Sequence, residues 1–200
     1  EDLLSGTSRN TGSDKQTYYK LTLSGQEPDS VGRMAQTLFA GGSMDGDLAR
    51  IEAALSAECF YWLAEKGVPF PRNAYGEAVG YKTDHDPLSR ASSAGPLTSR
   101  LMVEHLQDAL DATPVALFDR QQAVKLLTDG RTGAVRGVLC LSLDDPQIAF
   151  NLIMCPAVVW AVGGPALVYA DVVYPGSQLG GTAPALEAGA AAVNLTEWQY

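Results

Sequence analysis

The sequence has little that suits it to a membrane or a nucleic acid. No apolar stretch reaches the ~18–20 residues needed to span a bilayer. Its 200 residues include 14 Lys and Arg against 23 Asp and Glu, a formal net charge of -9. Such a charge argues against a surface that binds polyanions. We therefore expect no nucleic-acid partner, no membrane-spanning segment and a cytoplasmic location.

Cysteine is also scarce. The three cysteines, Cys59, Cys140 and Cys155, are odd in number, and no two of them have metal-ligand spacing. Two of them lie in apolar runs. We predict buried, reduced thiols and no metal site.

Several motifs that mark nucleotide or nucleophile sites are missing. There is no Gly-x-Gly-x-x-Gly opening a strand–helix unit, no phosphate-binding P-loop and no Gly-x-Ser-x-Gly elbow. A complete, self-sufficient dinucleotide site is therefore not visible. No catalytic residue can be assigned.

Helical patterns dominate the first half of the chain. Residues 31–41 predict a short helix. A longer helix is predicted between an N-cap at Asp45 and a stop at Gly67. One of its faces carries residues spaced 3, 4, 4 and 3 apart, namely Leu48, Ile51, Leu55, Cys59 and Trp62. A third helix is predicted from about 97 to 112, and its buried side is expected to hold Leu97, Leu101, Leu106 and Leu110.

From about residue 115 the hydrophobic pattern changes from that of helices to that of strands. Strands are predicted at 115–118, 122–128, 134–143 and 147–154, and the turns between the later ones favour an antiparallel meander. The apolar run 156–162 predicts a strand covered on both faces, as in a parallel sheet. A helix at 182–192 and a strand at 192–198 follow. The expected fold class is α/β, a two-dinucleotide-binding-type Rossmann-like fold with a β-meander excursion at 122–154.

Three patches of small residues could bring bare backbone against a ligand. They are the loop from Ser5 to Ser13, the strand end at Gly163-Gly164, and Gly180-Gly181-Thr182 before a helix. Each patch is also explained by an ordinary loop, turn or helix entry. We predict that the patches near positions 8, 163 and 181 converge on one cleft.

Some charged side chains are further candidates. His85 lies between Asp84 and Asp86, which could raise its pKa, although neighbours in an extended loop point apart. Arg90 and Arg100 could bind a carboxylate or phosphate, or be ordinary surface arginines.

In order and spacing, three segments resemble the flavoprotein subunit of fumarate reductase and succinate dehydrogenase. The best match is the tail. It has Ala157-Val-Val-Trp-Ala-Val-Gly-Gly164, then Gly180-Gly-Thr182 and Ala185-Leu-Glu-Ala-Gly-Ala190, ending in Asn194-Leu-Thr-Glu-Trp-Gln-Tyr200. The other two are Ala64-Glu-Lys-Gly-Val-Pro-Phe70 and Ser8-Arg-Asn-Thr-Gly-Ser13. The resemblance implies an FAD-binding fold and a flavin oxidoreductase.

The resemblance also implies which residues contact FAD. An acid would meet the adenosine ribose, a loop would run along the pyrophosphate and flavin, and a strand backbone would meet the adenine. The implied residues are Glu1, Ser8, Arg9, Asn10, Thr11, Gly12, Ser13, Gln16, Ala123, Ala161, Gly163 and Gly164.

Departures from the family pattern refine the expectation. Many members attach FAD covalently through a histidine of the early loop, where this sequence has Arg9 and Asn10. Non-covalent FAD is therefore implied. Val162 replaces a usual threonine, and the turn at Gln178–Gly181 lacks a usual aspartate. These departures leave the implied substrate range open beyond fumarate and succinate.

By the same resemblance, residues 1–200 would be a partial FAD-binding domain. A first phosphate-binding strand would precede it and a substrate-capping domain would follow, so the chain alone would be inactive and bind FAD poorly. The implied reaction is hydride transfer between flavin N5 and an organic substrate such as an enoate, with a possible electron-transfer partner. The alternatives are a flavoprotein dehydrogenase for a steroid-like or amine substrate, and a non-catalytic binding module that keeps the fold.

Overall fold

The computed structural model describes residues 4–84, 86–144, 147, 149–163 and 181–192. The chain divides into two compact units. One is Leu4–Ala116, called here the N-terminal unit. The other contains the residues from Leu117 onward and is called the C-terminal unit.

The N-terminal unit is mainly helical. Its two short strands pair antiparallel, with Tyr18 opposite Ser92 and Tyr19 opposite Ala91. In chain order the elements are α1 (Thr7–Asn10), β1 (Tyr18–Tyr19), α2 (Val31–Ala40), α3 (Gly46–Glu65), β2 (Ala91–Ser92) and α4 (Thr98–Asp111).

Helix α3 begins and ends where the sequence predicts. The Asp45 carboxylate accepts hydrogen bonds from the N–H groups of Asp47 and Leu48, at 3.0 and 3.1 Å, which satisfies two donors of the first turn. At the other end, Gly67 has a φ of 109°. The N–H groups of Gly67 and Val68 bond to the carbonyls of Ala64 and Leu63, a Schellman ending.

The buried face of α3 is not the apolar face identified in the sequence. The predicted apolar stripe is largely exposed, with Leu48 at 58% and Trp62 at 47%. The buried residues are instead Ala49, Ala53, Ser56, Phe60 and Leu63, which keep the helical spacing on a neighbouring face. Small residues at the start of this face permit close approach of α2, where Met34 is buried. The helical period therefore predicted the helix itself, whereas the hydrophobicity of the side chains did not indicate which of its faces is buried.

The hydrophobic core of the N-terminal unit lies around the end of α3. Phe60, Leu63, Val68, Phe70 and Ala78 form one buried cluster. The Phe60 and Phe70 ring centroids are 4.5 Å apart, and the Tyr18 ring lies 5.7 Å from that of Phe60. The Val68 contact with Leu63 is the apolar contact that accompanies a Schellman ending.

Helix α4 is also found as predicted, but its leucines do not form the buried side. Leu97 and Leu106 are exposed, Leu101 and Leu110 are half-buried, and the one buried residue of the helix is Thr98. The Thr98 hydroxyl accepts from the N–H of Ala94 and donates to the carbonyl of Gly95. This polar turn, rather than an apolar stripe, anchors the start of the helix.

The C-terminal unit contains a three-stranded antiparallel sheet. Its strands are β3 (Gln121–Thr128), β4 (Val135–Ser142) and β5 (Phe150–Met154), in that spatial order. They correspond to the strands predicted between 122 and 154. The turn between β3 and β4 is held by Asp129, whose carboxylate accepts from the N–H groups of Arg131 and Thr132. Helix α5 (Thr182–Glu187) belongs to the same unit.

Other predictions for this region are wrong. Residues 115–118 and 156–162 form no strand, and Val159 is 94% exposed. A strand forms only where its backbone pairs with at least one neighbouring strand. None of the described strands pairs with 156–162. The predicted helix at 182–192 ends early, because Gly189 takes a φ of 92°. The predicted strand at 192–198 lies outside the described residues apart from its first position.

Two further expectations can be compared with the structure. Cys140 is buried, as predicted, whereas Cys59 is exposed and Cys155 is half-buried. All three thiols are free. Across the described ranges, every helix is too short or too polar to cross a bilayer.

Candidate functional site

A cavity in the C-terminal unit joins two of the glycine patches. Its volume is about 360 Å³, and its walls come from the end of the 156–163 segment and from α5 with the turn after it. The lining includes Trp160, Ala161, Gly163, Gly181 and Ala192. The wall is thus mostly small, apolar side chains and backbone with one indole, which is the kind of surface that a flat ligand contacts.

The two walls of this cavity are in close contact at Gly181. The indole N–H of Trp160 donates to the Gly181 carbonyl at 2.7 Å. A Cβ placed on Gly181 would lie 2.4 Å from Cγ2 of Val162. Glycine is therefore required for this approach of the two segments.

The structure brings only some of the predicted residues together. Ala161 and Gly163 lie in the same cavity as Gly181. Ala123 lies on β3, where it is paired with Cys140 of β4. Glu1, Gly164, Gly180 and His85 lie outside the described residues. The residues from Ser8 to Gln16 belong to the N-terminal unit.

The loop containing the other predicted residues is held by its own hydrogen bonds. The Asn10 amide donates to the carbonyls of Leu4 and Gly6, both at 2.9 Å, and the Thr11 hydroxyl donates to the carbonyl of Thr7. Residues 7–10 form a single helical turn, where the sequence predicted only an irregular loop. The Asn10 side chain is therefore used to shape the loop.

The same loop is fixed to the start of α4. The Ser13 N–H donates to the Pro96 carbonyl at 2.9 Å, and the Gln16 side-chain oxygen accepts from the N–H of Ser99 at 3.2 Å. A Cβ on Gly12 would lie 3.0 Å from a methyl of Leu97. Gly12 thus allows the loop to pack closely on α4.

Two arginines share one carboxylate where this loop meets α4. Nη2 of Arg9 lies 3.4 Å from Oε1 of Glu104, and Nε of Arg100 lies 2.9 Å from the same oxygen. The three side chains are about one-third to two-fifths exposed. Their formal charges sum to one positive charge.

A second charged cluster is buried in the N-terminal unit around Arg90. Its guanidinium donates to both oxygens of Asp29 at 2.8 Å, to the Thr37 hydroxyl at 2.9 Å and to the Tyr19 hydroxyl at 3.2 Å. Asp86 lies 3.5 Å from it. A cavity of about 480 Å³ beside it is lined by Arg33, Gln36, Thr37, Pro87 and Arg90, among others.

This cluster shifts the pKa values of its members. Burial alone would raise the pKa of Asp29, but bonds from Arg90 and from the N–H groups of Thr22 and Ser30 lower it to about 2. Hydrogen bonding to Asp29 raises the pKa of Arg90. Burial and the neighbouring Asp86 raise the pKa of Tyr19 to about 12. The carboxylate of Asp29 and the guanidinium of Arg90 are therefore both ionised throughout the neutral pH range.

Lys20 is buried without a hydrogen-bond acceptor for its ammonium group, among the described residues. Its Nζ lies 4.8 Å from the centroid of the Phe60 ring. Burial lowers the pKa of Lys20 to about 8. The ring attracts the cation but does not replace the lost water.

Sequence reasoning missed several of the charged groups in these clusters. It singled out Arg90 and Arg100 as arginines suited to a carboxylate, and both do bind one. Their partners Asp29 and Glu104 were not predicted, because Asp29 is 61 residues from Arg90 and no pattern links them. Glu104 could have been found, since Arg100 and Glu104 have the i,i+4 spacing of a helical ion pair.

Comparison with known proteins adds an independent observation. Residues 17–200 match the family model described as FAD binding domain. The chain is 30% identical over 192 residues to L-aspartate oxidase of Vibrio cholerae, covering 87% of this chain and 35% of that protein. The chain thus spans about a third of the length of this curated relative.

Solved structures share the fold at lower identity. Mycobacterium smegmatis Sdh1 in complex with UQ1 gives a TM-score of 0.66 at 18% identity, covering 82% of this chain and 29% of that one. An E. coli quinol fumarate reductase FrdA variant gives a TM-score of 0.62 at 22% identity, covering 74% of this chain and 25% of that one. The Rhodococcus jostii 3-ketosteroid-delta4-(5alpha)-dehydrogenase gives a TM-score of 0.51 at 18% identity, covering 76% of this chain and 36% of that one.

Proposed function

The chain belongs to the FAD binding domain family, and from that premise we propose that it is part of an FAD-dependent oxidoreductase. The match of residues 17–200 to the family is the observation that carries the proposal. The relative with 30% identity is an oxidase by name, and the fold is shared with Sdh1 and with a fumarate reductase.

The local geometry of the C-terminal unit fits part of such a cofactor. The cavity of about 360 Å³ at Trp160 and Gly181 is near the lower end of the range of about 300–1,000 Å³ for small-molecule sites. It therefore suits one portion of an extended dinucleotide rather than the whole. At that wall the bare side of Gly181 lies against the Val162 side chain.

We extend the proposal to the fold. The three-stranded sheet at 121–154 would be an excursion from a two-dinucleotide-binding-type Rossmann-like domain, of which residues 1–200 form a part. This is supported by the antiparallel order of β3, β4 and β5 and by the likeness to FAD-binding structures.

The cofactor contacts would be those implied by the resemblance. Non-covalent FAD is supported by Arg9 and Asn10 in the early loop, where a histidine would be needed for attachment. Asn10 would act indirectly, because its amide shapes the loop. The backbone at Ala161, Gly163 and Gly181 would contact the cofactor directly.

FAD, when bound, would supply hydride transfer at N5, and the protein would hold the ring and the substrate. The proposed substrate class is a small organic acid whose C–C or C–N bond is oxidised or reduced, such as an enoate. The likeness to a fumarate reductase and to L-aspartate oxidase supports it. An electron-transfer partner is part of the proposal, by analogy with Sdh1 in complex with UQ1.

The test is to purify the full-length protein that contains this chain, with added FAD, and to record its visible spectrum after gel filtration. We expect a yellow protein whose flavin is released into the supernatant on acid precipitation. Flavin reduced by dyes should be reoxidised by fumarate or another enoate. A colourless protein would favour a binding module without cofactor. Colour that stays with the acid pellet would contradict non-covalent binding.

A further inference from the structure

Helix α3 carries a stripe of apolar side chains that the described residues leave exposed. The stripe, called here the α3 stripe, consists of four large side chains and one free thiol, namely Leu48, Ile51, Leu55, Trp62 and Cys59. The four large side chains are between 47% and 58% exposed. Their spacing places them on one side of the helix over a length of about 21 Å. Because another face of α3 packs on α2 and the core, the stripe is a second apolar surface, of the kind that marks an interaction site.

Carboxylates border the α3 stripe on both edges. At about 100° of rotation per residue, Glu52 falls on one edge and three further acids fall on the other, namely Asp47, Glu58 and Glu65. All four side chains are exposed. None of them forms a salt bridge with another described residue. The stripe is therefore an apolar surface between two acidic edges.

The two cations of this region leave the acidic edges uncompensated. Arg50 lies on the side of the helix opposite the stripe, according to the same rotation per residue. The Lys66 ammonium group lies over the Trp62 ring, 5.6 Å from its centroid, at the end of the stripe. Over most of its length the surface thus presents negative charge beside apolar side chains.

These charges discriminate between possible occupants of the stripe. A second copy of α3 would bring carboxylates against carboxylates in either orientation, which is unfavourable. An anionic membrane surface is repelled by the same groups. A helix from elsewhere in the same polypeptide is held in place by the chain and needs no matched charges. A separate partner that arrives by diffusion is oriented and accelerated by complementary charges, so that such a partner uses both features of the surface.

We propose that the α3 stripe binds a basic amphipathic helix of a partner protein. The apolar side chains of that helix pack on the stripe, and its Lys or Arg side chains meet the carboxylates on both edges. Exposed charge pairs are screened by salt, so the affinity falls as the ionic strength rises. The proposal uses no residue that we assign to FAD, and it does not depend on the proposed function.

The first experiment uses the full-length protein that contains this chain and two synthetic helical peptides of about 20 residues. Both peptides have leucines at alternating spacings of three and four, flanked in one peptide by Lys and in the other by Glu. Fluorescence anisotropy of the labelled peptides measures binding. We expect the Lys peptide to bind at micromolar concentrations and the Glu peptide to bind at least about tenfold more weakly, with a smaller difference at high salt.

Substitution of the stripe tests where the Lys peptide binds. Leu55→Ser should weaken its binding about tenfold, because an apolar contact at the centre of the stripe is lost. The matched control is Leu152→Ser, which removes an exposed leucine of β5 and should leave the affinity unchanged. Equal losses in the two variants, or no loss in either, would place the peptide elsewhere and refute the proposal.

Reversal of the edge charges gives the sharpest result. Glu52→Lys combined with Glu58→Lys should weaken binding of the Lys peptide and strengthen binding of the Glu peptide, each about tenfold. A surface that binds apolar groups without regard to charge would bind both peptides equally before and after the change, and that result overturns the proposal. Both positions are exposed, and circular dichroism checks that the variant is folded.

Chemical labelling identifies the natural occupant. Cys59 is exposed within the stripe, so we expect a maleimide to label it in the free full-length protein and the Lys peptide to protect it. Mass spectrometry of the proteolytic fragment that contains Cys59 measures the labelling. A thiol that stays unlabelled in the free monomer would mean that the protein's own polypeptide covers the stripe. Labelling that declines as the protein concentration rises would mean that a second copy covers it, and either result contradicts the proposal.

Discussion

Arg90 and Asp29 lie 61 residues apart and meet through two parallel N–H···O bonds of 2.8 Å, with both side chains at least 98% buried. The pair links the loop before α2 to the loop before β2. Thr37 on α2 and Tyr19 on β1 bond to the same guanidinium. One side chain thus connects four segments of the N-terminal unit.

Removing Arg90 should therefore be costly. Arg90→Met leaves Asp29 buried without its partner, and we expect the free energy of unfolding to fall by about 3–5 kcal/mol. Urea denaturation followed by circular dichroism measures it. The control is Lys82→Met, which breaks the exposed pair with Glu27 and should cost less than about 1 kcal/mol. Equal losses in the two variants would contradict a special role for the buried pair.

The Asp29 carboxylate also predicts an acid transition. Its pKa is about 2 in the folded protein against an ordinary 3.8. A lowered pKa gives stability that is present above about pH 4 and is lost as the pH falls to about 2. Its contribution at neutral pH is about 2 kcal/mol. Asp29→Asn should flatten the stability profile between pH 4 and pH 2, and a profile that keeps the wild-type slope would contradict this.

Lys20 should destabilise the fold at neutral pH, in contrast to Asp29. Its pKa falls from 10.5 to about 8 on folding, so between these values the unfolded chain holds a proton that the folded chain has released. Stability should then rise with pH from about 8 to about 10.5. Lys20→Met should be more stable than the wild type at pH 7, by at most about 3 kcal/mol, with the difference shrinking at high pH. Measuring the free energy of unfolding of both proteins at pH 7 and pH 9.5 tests this prediction. A Lys20→Met variant that is less stable than the wild type at pH 7 would show that the contact with Phe60 outweighs the cost of desolvation.

The sequence predicted local features better than distant ones. The caps of α3 and the Asp129 turn are encoded by neighbouring residues and were found where expected. The buried face of α3 was not identified from the sequence. Leu48 and Trp62 are more hydrophobic than Ala49 and Ser56, but the close approach of α2 favours the small residues. The 156–162 segment was predicted as a strand from hydrophobicity alone, which cannot supply the neighbouring strands that it needs.

The same contrast holds for the candidate site. The glycines at 163 and 181 were identified from sequence and line one cavity, since backbone access is a property of the residue itself. The role of Trp160 was not predicted, because its bond to Gly181 joins residues 21 apart. The contact of Glu104 with Arg9 was not predicted for the same reason, because it joins α4 to the early loop.

Gly67 should be intolerant of any side chain. Its φ of 109° strains other residues, and an added Cβ would lie 2.9 Å from the His105 ring. Gly67→Ala should lower the free energy of unfolding by about 2 kcal/mol or more. Gly25→Ala is the matched control, since Gly25 has a φ of 93° with no atom nearby, and it isolates the backbone strain. His105→Ala should recover the steric part of the Gly67→Ala loss, and no recovery would show that the ring moves aside freely.

The contact between Gly181 and Val162 predicts a specific loss and rescue of cofactor binding. Gly181→Ala places a methyl group 2.4 Å from a Val162 methyl, so the two walls of the cavity must separate. We expect FAD affinity to fall about tenfold while the free energy of unfolding changes little, because Gly181 precedes only a short helix. Val162→Ala removes the methyl at 2.4 Å but leaves Cβ at 2.9 Å, and it should restore part of the affinity in the double variant. Flavin fluorescence quenching on titration measures both. An unaltered affinity in Gly181→Ala would place FAD away from this cavity, whereas a loss that Val162→Ala does not rescue would mean that the bare Gly181 backbone itself contacts the cofactor.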